Sequence, residues 1–238
     1  MPKDFFRFKK FTIRQDRCAM KVSTDACLLG AWAPLEEISG KVLDIGAGTG
    51  LLSLMLAQRF GELKITALEI DPEAATQAGE NVAESPFADR IEVVCEDIRA
   101  HHPTTLYDAI IANPPFFQNS LKGPDAARNA ARHSDALSLE DLYASVVRFL
   151  KPDGLFALLL PVEAQKAWEK GLISGKLSLR ERVFVKPLPY KAPNRVLSLY
   201  GKGEISGNAS NSELVIYEEY GTYTAAFRKL LAPFYLHL

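Results

Sequence analysis

The chain has 238 residues, 47% of them hydrophobic, enough for one large α/β domain or a domain with a small appendage. Its net charge of −1 excludes bulk attraction to a polyanion, and its three cysteines, Cys18, Cys27 and Cys95, are widely spaced with no CxxC pair. That pattern excludes a disulfide framework and a zinc site, and it fits a reducing, cytoplasmic setting.

Met1 to Val22 carries Lys3, Arg7, Lys9, Lys10, Arg14, Arg17 and Lys21 against only Asp4 and Asp16. Within it, Phe5-Phe6-Arg7-Phe8-Lys9-Lys10-Phe11 alternates rings with cations. This is either an extended arm whose rings stack on bases and whose cations meet phosphates, or a segment packed on its own domain. The N-terminus has no signal-peptide core. Ser23, Thr24 or Asp25 is placed to cap a helix that Trp32-Ala33-Pro34 ends. Lys41 to Ile45 is a short apolar strand that runs into Gly46-Ala47-Gly48-Thr49-Gly50 and then a helix over Leu51 to Phe60. Strand, glycine turn and helix open a nucleotide-binding α/β unit. Asp44, just before the glycines, is placed to fix the turn or a ligand's ammonium group. A second strand, Lys64 to Leu68, ends at Glu69-Ile70-Asp71, and Pro72 suits the first turn of the next helix. An acid at that strand end is placed to accept hydrogen bonds from ribose hydroxyls.

A third strand, Arg90 to Cys95, ends at Glu96-Asp97, and His101-His102 before Pro103 reads as a solvated turn. A fourth, Tyr107 to Ala112, stops at Asn113-Pro114-Pro115-Phe116. The two prolines fix their own φ and push the preceding residue out of the helical region, so this is a stiff turn that holds one amide and the rings of Phe116 and Phe117. A helix over Leu139 to Leu150, the turn signal Lys151-Pro152-Asp153-Gly154 and a fifth strand over Leu155 to Leu160 follow; that apolar run is far too short to span a bilayer. Strands alternating with helices imply a doubly wound, mainly parallel sheet. Arg182 to Lys186 and Arg195 to Tyr200 then form a close antiparallel pair across a proline-rich connection. Gly203 to Ser212 reads as a loop, Glu213 to Tyr217 as a short strand and Tyr223 to Leu231 as a helix. Arg180, Arg182, Lys186, Lys191 and Arg195 make a second basic stretch, either a polyanion contact or a solvated face. Trp32 and Trp168 read as packing.

The glycine turn, Glu69, Asp97 and Asn113 all lie at strand carboxyl ends, where open α/β sheets bind ligands. The turn is GxGxG rather than the GxGxxG of dinucleotide binders. Together, Val42 to Gly50, Glu69, Asp97 and Asn113-Pro114-Pro115-Phe116 resemble the class I S-adenosylmethionine methyltransferases that act on amino or amide nitrogens. Met20 to Asp25, Leu28 to Trp32, Phe116 and Ala131-Arg132-His133 narrow the resemblance to bacterial tRNA1(Val) adenine-N6 methyltransferases. The family's Lys-Val-Gly-Thr-Asp pattern has Ser23 in place of glycine here.

The resemblance implies a Rossmann-like seven-stranded sheet with a C-terminal antiparallel hairpin. It implies a single domain over residues 1–238, with a basic arm and helix at 1–40 and a catalytic core at 41–238. S-adenosylmethionine would be held by Lys21, Thr24, Asp44, Gly46, Gly48, Gly50, Glu69, Asp97 and Asn113. Asn113, Pro114, Pro115 and Phe116 would be catalytic, and Phe116, Phe117, Arg132, His133 and Arg195 would meet the RNA. Arg132-His133 reads equally as a gate, a phosphate contact or a solvated loop pair. No metal is implied. The expected substrate is the anticodon-loop adenine of a tRNA, and the expected enzyme a cytoplasmic monomer. Another RNA or DNA adenine methyltransferase, a protein glutamine-N5 methyltransferase and a non-catalytic binding scaffold are the competing readings.

Overall fold

The computed structural model describes residues 4–114, 137–171, 175–203 and 208–238. A hairpin of β1 (Phe5–Arg7) and β2 (Thr12–Arg14) leads to helix α1 (Thr24–Trp32). Then come β3 (Lys41–Ile45), α2 (Leu51–Arg59), β4 (Lys64–Glu69), α3 (Pro72–Ala83), β5 (Ile91–Cys95) and β6 (Tyr107–Ala112). Helix α4 (Leu139–Phe149), β7 (Leu150–Pro161), α5 (Val162–Gly171), β8 (Leu177–Lys186) and β9 (Arg195–Lys202) follow. The chain continues with β10 (Ser210–Val215), β11 (Tyr217–Glu219), β12 (Thr222–Tyr223) and α6 (Ala225–Leu231).

The main sheet runs β10-β8-β9-β7-β6-β3-β4-β5. Strands β3 to β7 pair in parallel, and β9 enters antiparallel between β7 and β8. The seven expected strands are present, and an eighth, β10, pairs in parallel with β8 at the edge. Ser210 to Ser212, expected in a loop, belong to that strand. The apolar runs are buried on both faces and alternate between two cores, as strands of a doubly covered sheet must. In β7, Leu155, Ala157 and Leu159 face one core while Phe156, Leu158 and Leu160 face the other. The Lys151–Gly154 turn signal lies inside β7, where the register shifts between Tyr107 and Ala109 of the partner strand.

The N-terminal arm packs on its own domain. Phe8 and Phe11 stack at 4.7 Å and are buried, Phe8 bridges to Tyr235, and the Lys9 N–H donates to the Phe234 carbonyl at 2.8 Å. Burying a phenylalanine stabilises a fold by about 1.5–3 kcal/mol, which decides the arm's position. Trp168 is also core, among Tyr143, Phe156 and Tyr200. His101 is not a solvated turn residue: it is buried, with Nδ1 2.6 Å from Glu96 and Nε2 2.9 Å from the Tyr107 hydroxyl. Ser23 is the residue that caps α1, accepting from the Ala26 N–H at 3.2 Å. Among the described residues, no helix is long and apolar enough to cross a membrane.

Candidate active site

The chain fills the sheet outward from β3 to β5, then crosses to β6 on the other side of β3. This reversal leaves a crevice at the carboxyl ends of β3 and β6. Ile45 is the register partner of Ala112. Gly46 and Asn113 therefore leave adjacent strands side by side, about 5 Å apart by strand spacing. The glycine turn and the Asn-Pro turn are thus one structure.

Gly46 and Gly48 have φ of +71° and +56°, where a side chain costs about 1–2 kcal/mol. A Cβ on either would meet no atom of the described residues within 4 Å, so among them nothing covers the backbone there. Gly50 differs: a Cβ on it would lie 3.5 Å from Ala78 Cβ, in contact with α3. The Gly46 and Ala47 N–H groups both donate to the Leu68 carbonyl at 2.9 Å, which folds the turn toward β4.

Glu69 closes that side. Its Oε2 accepts from the Gly48 N–H at 2.7 Å and its Oε1 from the Asp71 N–H at 2.9 Å. Two N–H donors orient the carboxylate and leave each oxygen a free lone pair. Asp44 lies beneath the turn, 0% exposed. Its Oδ2 accepts from the Ser53 N–H at 3.1 Å and hydroxyl at 2.7 Å, fixing the first turn of α2, while Oδ1 has no partner among the described residues. Burial pushes its carboxyl up to about 7, against the Ser53 bonds, and the Glu69 charge adds to the rise. Asp97 is half-buried at the end of β5. Hydrogen bonds from the Arg99 guanidinium hold its carboxyl below the usual range, with Nη2 at 2.6 Å. Asn113 is half-buried and Pro114 buried. Pro115, Phe116, Phe117, Arg132 and His133 lie outside the described residues.

Lys21 and Thr24 are exposed at the start of α1, and none of the described hydrogen bonds joins them to the glycine turn. Arg195 is held by Asp25, Nε to Oδ2 at 2.7 Å, and its Nη1 donates to the Asn194 carbonyl. Because Arg195 pairs with Pro161 in the sheet, that bridge lies on the same rim as Asn113, two strands away.

Three residues of the site have no motif to announce them. Ser53 orients Asp44. Asn81 accepts from the Arg14 N–H at 2.8 Å and donates to the Arg14 and Thr49 carbonyls at 3.0 and 2.9 Å. Gln77 accepts from the Arg17 N–H at 3.2 Å and donates to Asp16 at 2.7 Å. Both amides are buried and stand four residues apart on α3. Two amides at helical spacing on a buried face are the signal in the sequence. They strap the arm along α3 and bring Cys18 toward Glu69 and Asp71. Burial, helped by the two carboxylates, pushes that thiol up to about 11.

Residues 26–141 match a family model described as the methyltransferase small domain. A Dyadobacter fermentans protein named tRNA1(Val) (adenine(37)-N6)-methyltransferase is 47% identical over 241 residues, covering 99% of each chain. Among solved structures, a predicted O-methyltransferase from Agrobacterium tumefaciens aligns with a TM-score of 0.70 at 20% identity, covering 88% of this chain and 96% of that one. A glycopeptide N-methyltransferase complexed with S-adenosylmethionine aligns at a TM-score of 0.54 and 18% identity, covering 78% and 96%. At those identities the structural likeness speaks for the fold. The full-length relative and the strand-end geometry agree: the chain belongs to the tRNA1(Val) (adenine(37)-N6)-methyltransferase family of S-adenosylmethionine-dependent enzymes.

Proposed function

We propose that this chain methylates the exocyclic N6 of adenine 37 in tRNA1(Val). The observation that carries the reading is the 47% identity to a relative of that name along the whole chain. The site supports it.

The residues present fit S-adenosylmethionine. Among the described residues, nothing fills the space over the Gly46 and Gly48 backbone. Glu69 keeps lone pairs for ribose hydroxyls, Asp97 stays ionised for an amino group, and the unpartnered Oδ1 of Asp44 suits an ammonium group. Lys21, Thr24, Gly50 and Asn113 complete the proposed cofactor set, Asn113 contributing more to the reacting geometry than to cofactor affinity. When bound, S-adenosylmethionine supplies an electrophilic methyl group.

An adenine amino nitrogen is a poor nucleophile because its lone pair is delocalised into the ring. The Asn113 side-chain oxygen and the Pro114 carbonyl accept hydrogen bonds from its two N–H groups. As positive charge grows on the nitrogen, those bonds strengthen, which stabilises the transition state more than the ground state. The nitrogen then releases one proton to water, so no strong base is required beforehand. Pro115 stiffens the turn. Phe116 and Phe117 stack on the adenine, which must leave its base stack to react, and Arg132, His133 and Arg195 meet the surrounding RNA. Residues 1–40 and 41–238 work as a single catalytic unit, a cytoplasmic monomer.

The test is incubation with labelled cofactor and bulk tRNA lacking this modification, with the product nucleoside mapped by mass spectrometry. N6-methyladenosine at position 37 of tRNA1(Val) is expected. Label confined to ribosomal RNA or to a protein amide would overturn the reading.

A further inference from the structure

The connection between β8 and β9 turns back over the rim that carries Asn113. Val185 at its start and Arg195 at its end are register partners, and Arg195 pairs with Pro161 at the end of β7, the neighbour of β6. Two strand spacings to β9 and three to β8 put this turn roughly 10–15 Å across the rim from the Asn113 row.

The turn is rigid. Pro187, Pro189 and Pro193 fix three φ angles. The Lys191 N–H closes on the Leu188 carbonyl at 3.1 Å, the Asn194 N–H on Val185 at 3.0 Å, and the Tyr217 N–H on Pro187 at 3.1 Å. Leu188 plugs the base of the turn at 1% exposure. Tyr190, third residue of the Leu188–Lys191 turn, stands 71% exposed with the Lys191 ammonium 5.7 Å from its ring centre. The scaffold thus spends prolines, a core leucine and three backbone hydrogen bonds on a ring that buries almost nothing.

Charge separates this turn from its neighbours. Lys186 is paired with Glu213 and Arg195 with Asp25, both at 2.7 Å, whereas Lys191 has no ion pair among the described residues. Tyr220, on the adjoining β11–β12 turn, is 80% exposed, but Glu218 and Glu219 precede it and would repel a phosphate. Tyr190 thus pairs an exposed ring with a cation that has no ion pair among the described residues.

We infer that Tyr190 and Lys191 dock a single-stranded stretch of the RNA substrate beside the target nucleotide. The ring stacks on an unpaired base and the ammonium meets a phosphate, the pairing that serves single-stranded nucleic acid in general. The inference rests on the RNA reading of the site.

Full-length Tyr190→Ala, Tyr190→Phe and Lys191→Ala variants test it with unmodified tRNA1(Val) transcript. Tyr190→Ala is expected to raise KM for the transcript about tenfold, with kcat and cofactor affinity unchanged, while Tyr190→Phe behaves as wild type. Lys191→Ala is expected to lower the slope of log affinity against log salt by about one. An unchanged KM in Tyr190→Ala, or Tyr190→Phe as impaired as Tyr190→Ala, overturns stacking at this turn while wild-type activity on the transcript leaves the functional reading standing. A wild-type enzyme that labels no RNA overturns both.

Discussion

The side-chain nitrogen of Asn81 lies 2.9 Å from the carbonyl oxygen of Thr49, which makes helix α3 a working part of the glycine turn. The same amide exchanges two hydrogen bonds with the backbone of Arg14. One buried side chain therefore joins the arm, the helix and the turn.

Truncating it should loosen all three. Asn81→Ala strands three backbone groups in a buried setting, at about 1–3 kcal/mol for each that water cannot reach. We expect a loss of about 2–4 kcal/mol and a Tm lower by about 4–16 °C. Amide exchange should accelerate at residues 14–18. Protection there equal to wild type would show that the arm is held by its phenylalanines alone.

Asn113→Ala should leave the fold and cofactor affinity nearly intact and lower kcat by about 10²–10³, the usual effect of removing one oriented group that acts in the transition state. The measurements are single-turnover methylation and calorimetric titration of the cofactor. Full activity would remove Asn113 from the chemistry.

Asp44 predicts a pH dependence whose sign can be worked out. Its carboxyl titrates near 7 in the folded chain and near 3.9 unfolded. Between those values the folded chain holds more protons, so the contribution to stability is full below pH ~4 and is lost as pH rises through ~7. Asp44→Asn cannot lose that proton. Urea unfolding of the cofactor-free protein should show the variant gaining on wild type from pH 5 to 8. Parallel curves would mean that Asp44 does not titrate in this window. An ammonium group at Oδ1 would favour the carboxylate, so cofactor binding to wild type should strengthen from pH 6 to 8 and release a proton.

Gly48→Ala separates strain from occupancy. The added methyl meets no atom of the described residues, so the expected cost to folding is the backbone strain of about 1–2 kcal/mol. The methyl would instead project into the space assigned to the cofactor, and the cofactor Kd should rise more than tenfold. An unchanged Kd would move the ligand elsewhere.

The rim was legible in the sequence because each apolar run there stops abruptly, at glycines or at a polar residue: Ile45 before Gly46, Leu68 before Glu69, Ala112 before Asn113. The eighth strand was legible only in its second half, Glu213 to Val215. Ser210-Asn211-Ser212 sits at a sheet edge, exposed, and the composition of an exposed edge strand is that of a loop. His101 misled because its partners are a glutamate on one side of its turn and a tyrosine on the other, and no periodicity reports a buried polar contact. The roles of Asn81 and Ser53 were hidden for the same reason. The arm's alternating rings and cations allowed two outcomes, and the choice was made by Phe234 and Tyr235, far along the chain.

That last contact also orders events during synthesis. Lys9 Nζ donates to the Ala232 carbonyl, a residue translated 223 positions later. A nascent chain can form β3 to β7 and the glycine turn as they emerge, but the phenylalanines of the arm must wait for the segment after α6. The arm that lies along α3 is therefore made well before the segment that fixes it, and the contacts it shares with α3 gain their full support only after residue 235 has emerged.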